Sequence, residues 1–294
     1  YVCSATEVLF LADTDRDDVA DSREVIFSGF GNADVHHMIH GFRWSPWGDL
    51  HFTQSIYINS FIDTVHGPRR MNGSGIWRFR PETRRLEPFA TGMVNPWGFA
   101  FNRWGQSFAT DGAAGQGPHY VFPGSAFRSA VGAHRVLDGL IRGKPNNTGG
   151  EFVAGRHLPE HWQGSFLGND FRANRTVRYE LKESGSGYSA REVETVLHSS
   201  HRSFRPVDIK MGPRGAIYVV DWYNAIIDHG EVDFYHPLRD KSHGRIWRIT
   251  AKNRPLVPAP DIAGSSHEEL LDLLKSPEPY TRNQVKRELI QRPF

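Results

Sequence analysis

A short acidic segment near the start of the chain has the composition of a cation-binding loop. Residues 13–24, DTDRDDVADSRE, carry carboxylates at their positions 1, 3, 5, 9 and 12. These carboxylates belong to Asp13, Asp15, Asp17, Asp21 and Glu24. The spacing is that of an EF-hand calcium loop, although Asp18 stands where that loop has Gly and the flanks resemble strands. The segment predicts either a calcium-bound hairpin or a hydrated acidic turn, and repulsion between the carboxylates favours calcium.

Three histidines, His36, His37 and His40, lie in the segment DVHHMIHGFRW at 34–44. In an extended segment His36 and His40 share one face and His37 lies on the other. A neutral imidazole can act as a general base near pH 7. The alternative is a polar lining in which the rings bond to the backbone.

Other polar side chains recur beside short strand-like segments. Asn95-Pro96 predicts a turn, and Asp111-Gly112 ends a strand before the Gly-rich segment 112–118. Arg172 and Arg205 lie at corresponding places further along. Guanidinium groups that converge would suit a multiply anionic ligand, whereas surface solvation is the alternative for each alone. A dense polar cluster follows, which either lines a ligand site or locks the last strands together: Asp221, Asn224, His229, Asp240, Lys241 and His243.

The elements that position these side chains form a repeat. Four segments share a Gly turn followed by a short strand, and the four glycines are Gly48, Gly105, Gly164 and Gly215. Their spacings are 57, 59 and 51 residues. A period of this length with about four strands per unit predicts a β-propeller rather than a β-sandwich. Ligands of propellers lie over the channel, so the loops that enter each innermost strand are where chemistry is expected.

Composition agrees with an all-β chain and excludes several classes of function. Gly and Pro are frequent, with 29 and 18 residues, and the 35 basic side chains nearly balance the 33 acidic ones. No nucleic-acid partner is expected. The sequence has no apolar run long enough for a transmembrane segment. Cys3 is the single cysteine, which excludes an intrachain disulfide, a thiolate zinc cluster and a CxxCH haem site in this chain.

The composition and residue pattern of the sequence change after residue 254. We expect a propeller over 1–254 that begins with a partial blade, because the chain starts at Tyr1 inside a strand-like run. Residues 255–266 are rich in Pro and small side chains and predict a linker. Residues 267–294 predict two helices, the first capped by Ser266. They are either the start of an α-solenoid or a simple packing appendage.

Three segments carry a resemblance to a known family: 95-NPWGFAFNRWGQSFATDG-112, 156-RHLPEHWQGSFLGNDFR-172 and VDWYN at 220–224 with DKSHGRIWRITAK at 240–252. They resemble a family of membrane-bound dehydrogenases of planctomycete-type bacteria, over essentially residues 7–255. The resemblance implies a six-bladed propeller of the quinoprotein glucose dehydrogenase or TolB-like type, a HEAT-like helical region, and often a c-type haem domain. It also implies an extracytoplasmic location, periplasmic or membrane-associated.

The propeller is more distantly similar to soluble quinoprotein glucose and sorbosone dehydrogenases, which bind pyrroloquinoline quinone (PQQ) and calcium. The resemblance implies that Asn95, Arg172 and Arg205 contact the cofactor, with Asp111 and Gly112 near a catalytic cation. Val94 replaces an arginine of that family's pattern. The base histidine would fall at Met38, flanked by His37 and His40.

Two hypotheses of different classes follow. The first is an exported dehydrogenase that oxidises a sugar or other alcohol with PQQ, His37 or His40 as base, and passes electrons to a c-type cytochrome domain or other acceptor. The second is a non-catalytic propeller that binds a glycan or a protein partner. A lyase or hydrolase is a third option without distinctive support. Because the acidic segment 13–24 precedes the first of the loops that enter an innermost strand, we expect its calcium to be structural.

Overall fold

A computed structural model describes residues 1–15, 17–113, 115–143, 146–228 and 231–292. In these residues the chain forms nineteen β-strands and two α-helices, so the expectation of a mainly β protein is confirmed. The chain divides into two compact units, Tyr1–Phe99 with Gln106–Asn146, and Ala100–Gly105 with the chain from Asn147 onwards. We describe each unit by itself.

The first unit is built from small antiparallel sheets that follow one another along the chain. Their orders are β1-β2-β3, β4-β5-β8-β9 and β10-β11-β12, with β6-β7 as a separate hairpin. The strands are β1 Val2–Ser4, β2 Glu7–Ala12, β3 Ser22–Ser28, β4 His40–Trp44, β5 Leu50–Gln54, β6 Asn59–Ile62, β7 Arg69–Asn72, β8 Gly75–Arg80, β9 Arg85–Thr91, β10 Pro96–Phe101, β11 Ser107–Asp111 and β12 Pro118–Val121.

The second unit continues the pattern with a four-stranded sheet, β13-β14-β15-β16, and a three-stranded sheet, β17-β18-β19. Its strands are β13 Thr148–Phe152, β14 Phe166–Asp170, β15 Arg175–Ser184, β16 Gly187–His198, β17 Pro206–Met211, β18 Ile217–Asp221 and β19 Arg245–Ile249. Its helices are α1 His267–Leu273 and α2 Pro279–Gln291. The predictions of six blades and of a HEAT-like region stay predictions.

The four repeated glycines have one structural role. Gly48, Gly105, Gly164 and Gly215 all have left-handed φ values between 75° and 94°. Each lies two residues before the second strand of its sheet, at β5, β11, β14 and β18. Glycine enters this backbone region without the steric cost that a Cβ imposes. The repeat read from the sequence is therefore a repeat of strand turns.

Large apolar side chains hold each unit together. In the first unit Phe30, Phe52, Trp77 and Phe79 are at most 2% exposed, and the rings of Phe30 and Trp77 meet edge to face. In the second unit Leu167, Ile209, Ile217 and Val219 are fully buried. Each such side chain stabilises the fold by about 1.5–3 kcal/mol relative to an exposed position. Successive sheets thus supply rigid frames for the loops at their ends.

The segment after β19 packs against the loop between β13 and β14 within the second unit. Ser266 caps α1 through a capping box with Glu269, as the sequence predicts. Glu278, only 5% exposed, accepts hydrogen bonds from the backbone N and Nε of Arg156. The ring of buried His157 accepts a bond from Ala251 N at Nε2 and meets the Pro255 carbonyl through Nδ1. These contacts favour the packing appendage, although the predicted boundaries at 254 and 266 stay predictions.

No helix in the described part of the chain is long and apolar enough to cross a membrane.

Candidate functional site

The loop between β3 and β4 holds His37 in a pair with a carboxylate. Oδ2 of Asp34 lies 2.8 Å from Nδ1 of His37, and Oδ1 accepts the backbone N–H of His36 at 2.9 Å. Burial raises the pKa of Asp34, but these bonds outweigh it and the net shift is downward, so the carboxyl is ionised near neutrality. An ionised carboxylate 2.8 Å from Nδ1 favours the tautomer with the proton on that nitrogen, in which Nε2 is the basic nitrogen. This is the arrangement of an oriented general base.

His40, the other predicted base, has a different environment at the start of β4. Its Nδ1 lies 2.7 Å from the Met38 carbonyl and therefore carries the proton. Burial lowers the pKa of the ring, against the carbonyls of Met38 and Pro96, so His40 is neutral at pH 7. Its Nε2 is buried and has no hydrogen-bond partner among the described residues. The ring packs edge-on to Trp97 with centroids 5.1 Å apart. These contacts favour a packing role for His40.

Asp111 closes the turn that contains Asn95. The Asp111 side chain is fully buried and accepts backbone N–H bonds from Val94, Asn95 and Ala113 at 2.7, 2.9 and 2.9 Å. The N–H of Gly112 donates to the Asn95 carbonyl at 2.8 Å. Three backbone donors occupy most of the roughly four acceptor sites of the carboxylate, which favours a turn-closing role. The role of Asp111 beside a catalytic cation stays a prediction. Asp111 is a turn-closing residue here.

Ser55 joins the histidine loop to the asparagine turn. Its N–H donates to the His37 carbonyl at 3.0 Å, and its Oγ donates to Oδ1 of Asn95 at 2.7 Å. The structure therefore brings His37 and Asn95 together, as expected for loops that enter neighbouring inner strands. The Asn95 amide oxygen already accepts this bond, which leaves its Nδ2 group as the donor for a ligand.

The second unit repeats this architecture around Arg205. Oδ1 of Asp221 accepts the N–H groups of Arg205 and Tyr223, as Oδ1 of Asp111 accepts those of Asn95 and Ala113. The Trp222 N–H donates to the Arg205 carbonyl at 2.9 Å, as Gly112 does to Asn95. Arg205 and Asn95 thus occupy corresponding positions of the repeat. The His37 carbonyl, which accepts the Ser55 N–H, corresponds to the carbonyls of Asn95 and Arg205.

The side chain of Arg205 binds the protein itself. Its Nε donates to the Asn224 carbonyl at 3.0 Å, Nη1 to the Phe171 carbonyl at 3.0 Å, and Nη2 to the Ala225 carbonyl at 3.3 Å. The side-chain oxygen of Asn174 takes another Nη1 bond. Burial lowers the pKa of Arg205. With four of its five donors engaged, Arg205 ties loops together, and the predicted contact with cofactor carboxylates is not supported.

Arg172 lies in the loop between β14 and β15, which the Arg205 side chain contacts, and is exposed. Its guanidinium carbon is 5.7 Å from the centroid of the Phe171 ring. Phe171 also supplies the carbonyl that Arg205 binds, so the structure brings the two arginines to one loop. Arg172 therefore keeps the capacity to pair with an anion that Arg205 has largely lost.

The acidic segment forms the hairpin predicted between β2 and β3, in which Ala12 pairs with Ser22. Carboxylate oxygens of Asp13, Asp15 and Asp21 lie within 4.8 Å of one another, and all three side chains are exposed. Asp21 also accepts bonds from the backbone and hydroxyl of Thr14. Three of the five predicted calcium ligands are therefore close together. Arg16, within the segment, lies outside the described residues.

The structure does not bring Glu24 or Asp17 into that group. Glu24 lies on β3 and its carboxylate is 2.6 Å from the guanidinium of Arg84. It is held there because β3 begins at Ser22 and the sheet, rather than a loop, sets its direction. Asp17 turns its Oδ1 to the backbone N–H of Val19 at 2.8 Å. Of the five residues with EF-hand spacing, the described structure therefore groups Asp13, Asp15 and Asp21, and calcium binding by the segment stays a prediction.

Two buried histidines were missed by the sequence reasoning. His51 on β5 is fully buried between Phe89 and Phe99, with ring centroids 4.9 Å from each. Burial lowers its pKa to about 3. His119 on β12 is 1% exposed, and burial lowers its pKa against the opposing effect of Asp111. Both histidines lie within the alternating pattern of apolar residues in their strands, and this pattern could have predicted that they are buried. Both rings are neutral core residues near pH 7.

The sequence matches a family described as a domain of unknown function, DUF7133, over residues 1–142 and 145–253. The chain belongs to this family. No protein of curated function matches the sequence. The sequence resemblance to membrane-bound dehydrogenases of planctomycete-type bacteria stays a prediction.

Several solved structures share the fold of this DUF7133 member. A glucose dehydrogenase is 17% identical with a TM-score of 0.56, over 81% of this chain and 71% of that one. An oxidoreductase (glucose dehydrogenase) from Thermus thermophilus is 21% identical with a TM-score of 0.51, over 70% of this chain. The soluble aldose sugar dehydrogenase of Escherichia coli, in its apo form, is 14% identical with a TM-score of 0.50, over 69% of this chain and 66% of that one.

These likenesses show that the chain has the fold of β-propeller dehydrogenases. The chain spans 65% of the length of the Thermus structure, which is less than two thirds.

Proposed function

We propose that this chain is the propeller of a dehydrogenase that oxidises a sugar or another alcohol. The observation that carries the proposal is the Asp34–His37 pair, which lies in the loop that leads into β4, the first strand of its sheet. Removing a proton from a hydroxyl group requires a base that is held in a fixed orientation. The likeness in fold to glucose and aldose sugar dehydrogenases supports the choice of substrate class.

In this proposal His37 accepts the hydroxyl proton at Nε2. Asp34 holds the Nδ1–H tautomer and stabilises the imidazolium that forms, since its carboxylate lies 2.8 Å away. Nδ2 of Asn95, which Ser55 connects to the same loop, would bond to a substrate oxygen. The carbon-bound hydrogen leaves with two electrons, as hydride, to a two-electron acceptor of the quinone class or to the dye of the assay, and the alcohol becomes a carbonyl group.

The described residues do not fit PQQ in the arrangement that the resemblance implies. Arg205 donates to carbonyl groups of the protein, Asp111 accepts three backbone N–H groups, and Val94 stands where an arginine is expected. Of the two arginines that the resemblance assigns to the cofactor, Arg172 keeps a guanidinium that an anionic group could use. No step of the proposal therefore passes through PQQ. Electron transfer to a c-type haem and an extracytoplasmic location are further parts of the proposal whose support is the sequence resemblance alone.

The test is dye-linked oxidation of a panel of aldoses and polyols, with and without PQQ and calcium. We expect turnover by the intact protein, and a loss of about 10²–10⁴-fold in kcat for His37→Gln, the range for removing a general base. The control is His134→Gln, because His134 is an exposed histidine of the same unit. Absence of turnover under all conditions, or equal activity of His37→Gln and the control, would overturn the proposal.

A second candidate function is a non-catalytic propeller that binds a glycan. The bonds of Arg205 and Asp111 to the protein favour it, because both side chains already stabilise loops of the protein. Glycan binding measured by calorimetry, together with no oxidation of the bound sugar, would support this candidate over the dehydrogenase.

A further inference from the structure

Ionisable side chains surround Tyr223 at one end of the last sheet. The guanidinium carbon of Arg245 lies 3.8 Å from the centroid of the Tyr223 ring. The ring of His201 lies nearly parallel at 5.7 Å, and that of His243 meets it edge-on at 6.1 Å. Three groups that can carry positive charge are thus gathered around one aromatic ring. We call them, with Tyr223, the Tyr223 cluster.

The backbone that presents this cluster is tightly held. Oδ1 of Asp221 accepts the N–H of Tyr223, and Oδ2 accepts the indole N–H of Trp247 at 3.1 Å. Nδ2 of Asn224 donates to the Asp240 carbonyl at 3.2 Å, which fixes the loop of His243 beside the loop of Tyr223. Tyr223 itself has a left-handed φ of 56°, a conformation that costs a non-glycine residue energy and persists only where the surroundings impose it.

The hydrogen bonds assign the proton positions of both histidines. Nδ1 of His201 accepts the N–H of Ser203, so Nε2 of that ring carries the hydrogen. Nδ1 of His243 lies 2.8 Å from Oδ2 of Asp240, a carboxyl whose pKa is lowered to about 2, chiefly by the Ser242 N–H against some desolvation. The paired His243 keeps its Nε2 for a ligand, and its side chain is 69% exposed.

Arg245 differs from Arg205 in what its guanidinium contacts. It stacks on Tyr223 and lies 5.9 Å from the centroid of the Trp247 ring. Within the part of the chain that the structure describes, it forms neither an ion pair nor a hydrogen bond to another side chain. Stacking covers the face of a guanidinium and leaves the N–H groups at its edge, which is how arginine presents a fork to carboxylate or phosphate.

The cluster lies at one particular end of the sheet β17-β18-β19. Arg245 pairs with Asp221, and Asp221 pairs with Pro206, the first residue of β17. The cluster therefore lies at the end of the sheet where the chain enters β17, the end at which the repeat predicts ligands. Trp222 and Trp247, which flank it, are 44% and 38% exposed. His229 and Gly230 lie outside the described residues.

We propose that the Tyr223 cluster binds the oxyanion of a small molecule, a carboxylate or a phosphate carried on a sugar. Arg245 forms the bidentate contact, His201 donates through Nε2, and His243 contributes its Nε2 as a donor when protonated. The exposed indoles of Trp222 and Trp247 lie where an apolar sugar face can pack. This site is distinct in its residues from the Asp34–His37 pair and does not depend on turnover.

Calorimetric titration of the intact protein tests the proposal. The four probes are glucose, glucuronate, glucose 6-phosphate and inorganic phosphate. We expect glucuronate or glucose 6-phosphate to bind at least about tenfold more tightly than glucose, with affinity that falls as salt rises. The tighter of the two identifies the carboxylate or phosphate source. Inorganic phosphate binding as tightly as the sugar phosphate would overturn the assignment of a sugar ligand.

The matched variants are Arg245→Gln and Arg248→Gln. Both arginines lie on β19, but Arg248 pairs with Tyr218 and has no part in the cluster. We expect Arg245→Gln to weaken binding of the charged sugar by at least about tenfold and to leave its weak affinity for glucose unchanged. Arg248→Gln should bind like the parent protein. Equal effects of the two substitutions, or equal affinities for glucose and both charged sugars, would overturn the proposal whatever the outcome for dehydrogenase activity.

Discussion

Asp34 lies three residues before His37 and directs that ring, with Oδ2 2.8 Å from Nδ1. The pair is held within one loop, so its geometry does not depend on packing between distant elements. The carboxylate fixes the tautomer in which Nε2 can accept a proton. Among the histidines that the sequence presents as candidates, this contact separates His37 from His40, whose Nδ1 meets a backbone carbonyl instead.

Asp34→Asn tests the positioning role of this carboxylate. We expect kcat for sugar oxidation to fall about 10²–10⁴-fold with little change in KM, because the amide no longer enforces the reactive tautomer. Steady-state kinetics give the split between kcat and KM. Asp63→Asn is the control, since Asp63 is an exposed aspartate of the same unit. A variant that changes KM alone would assign Asp34 to substrate binding rather than to the base.

Arg205→Lys tests whether Arg205 is a structural tie. Lysine cannot span the carbonyls of Phe171, Asn224 and Ala225, so we expect the free energy of unfolding to fall by about 2 kcal/mol or more. The control is Arg172→Lys, at an exposed position of the loop that Arg205 contacts. This change should alter the free energy of unfolding by less than about 0.5 kcal/mol. Urea unfolding of both variants measures the difference. Equal stabilities would contradict the tie and restore Arg205 as a ligand-binding residue.

His51 makes stability depend on pH. Its pKa falls from 6.5 to about 3 on folding because of burial, with Asp49 opposing the shift. The folded ring resists a proton that the unfolded chain accepts. The contribution of His51 to the free energy of unfolding is therefore complete above pH 6.5 and is lost as the pH falls towards 3. At about pH 4.5 the loss is about 3 kcal/mol.

The measurement is urea unfolding at about pH 7 and about pH 4.5. We expect His51→Phe, which keeps an aromatic ring beside Phe89 and Phe99, to lose much less stability between the two conditions than the parent protein. His66→Gln, a change at an exposed ring, should retain the parent's pH dependence. The same pH dependence in His51→Phe and the parent would show that His51 is not the group responsible.

Calcium should stabilise the hairpin between β2 and β3. We expect the Tm to rise by several degrees in millimolar calcium relative to chelator, because binding to the folded state alone stabilises it. Asp15→Asn should reduce the rise, since Asp15 belongs to the carboxylate group with Asp13 and Asp21. Glu24→Gln is the matched control: it removes the ion pair with Arg84 and should leave the calcium response intact. A Tm indifferent to calcium would leave the hydrated acidic turn as the explanation.

The sequence predicted the features that depend on local chemistry. Gly48 and Gly105 marked strand turns because a positive φ restricts residue type. Ser266 marked a helix start for a similar reason, since its side chain must accept the bond of a nearby N–H. The acidic hairpin between β2 and β3 followed from its flanking strand patterns.

Features that depend on which loops meet were not predictable. Nothing in the spacing around Arg205 shows that carbonyls from 171, 224 and 225 surround it. Glu24 fits a calcium-loop pattern, yet strand pairing places it beside Arg84, sixty residues away. The partner of a charged side chain is decided by tertiary contacts, and the residue pattern alone does not contain them.

The contacts of the segment that contains the last two helices determine where the chain can be truncated. The family match ends at residue 253. Beyond it, the Pro255 carbonyl contacts the buried ring of His157, and the Glu278 carboxylate contacts Arg156. A protein shortened at 253 would leave a buried imidazole N–H without an acceptor and expose the surface that Glu278 covers, a cost of about 1–3 kcal/mol for the unpaired group alone. Chimaeras and minimal versions of this propeller should therefore carry the chain through α2, because the edge of the sequence family is not the edge of the folding unit.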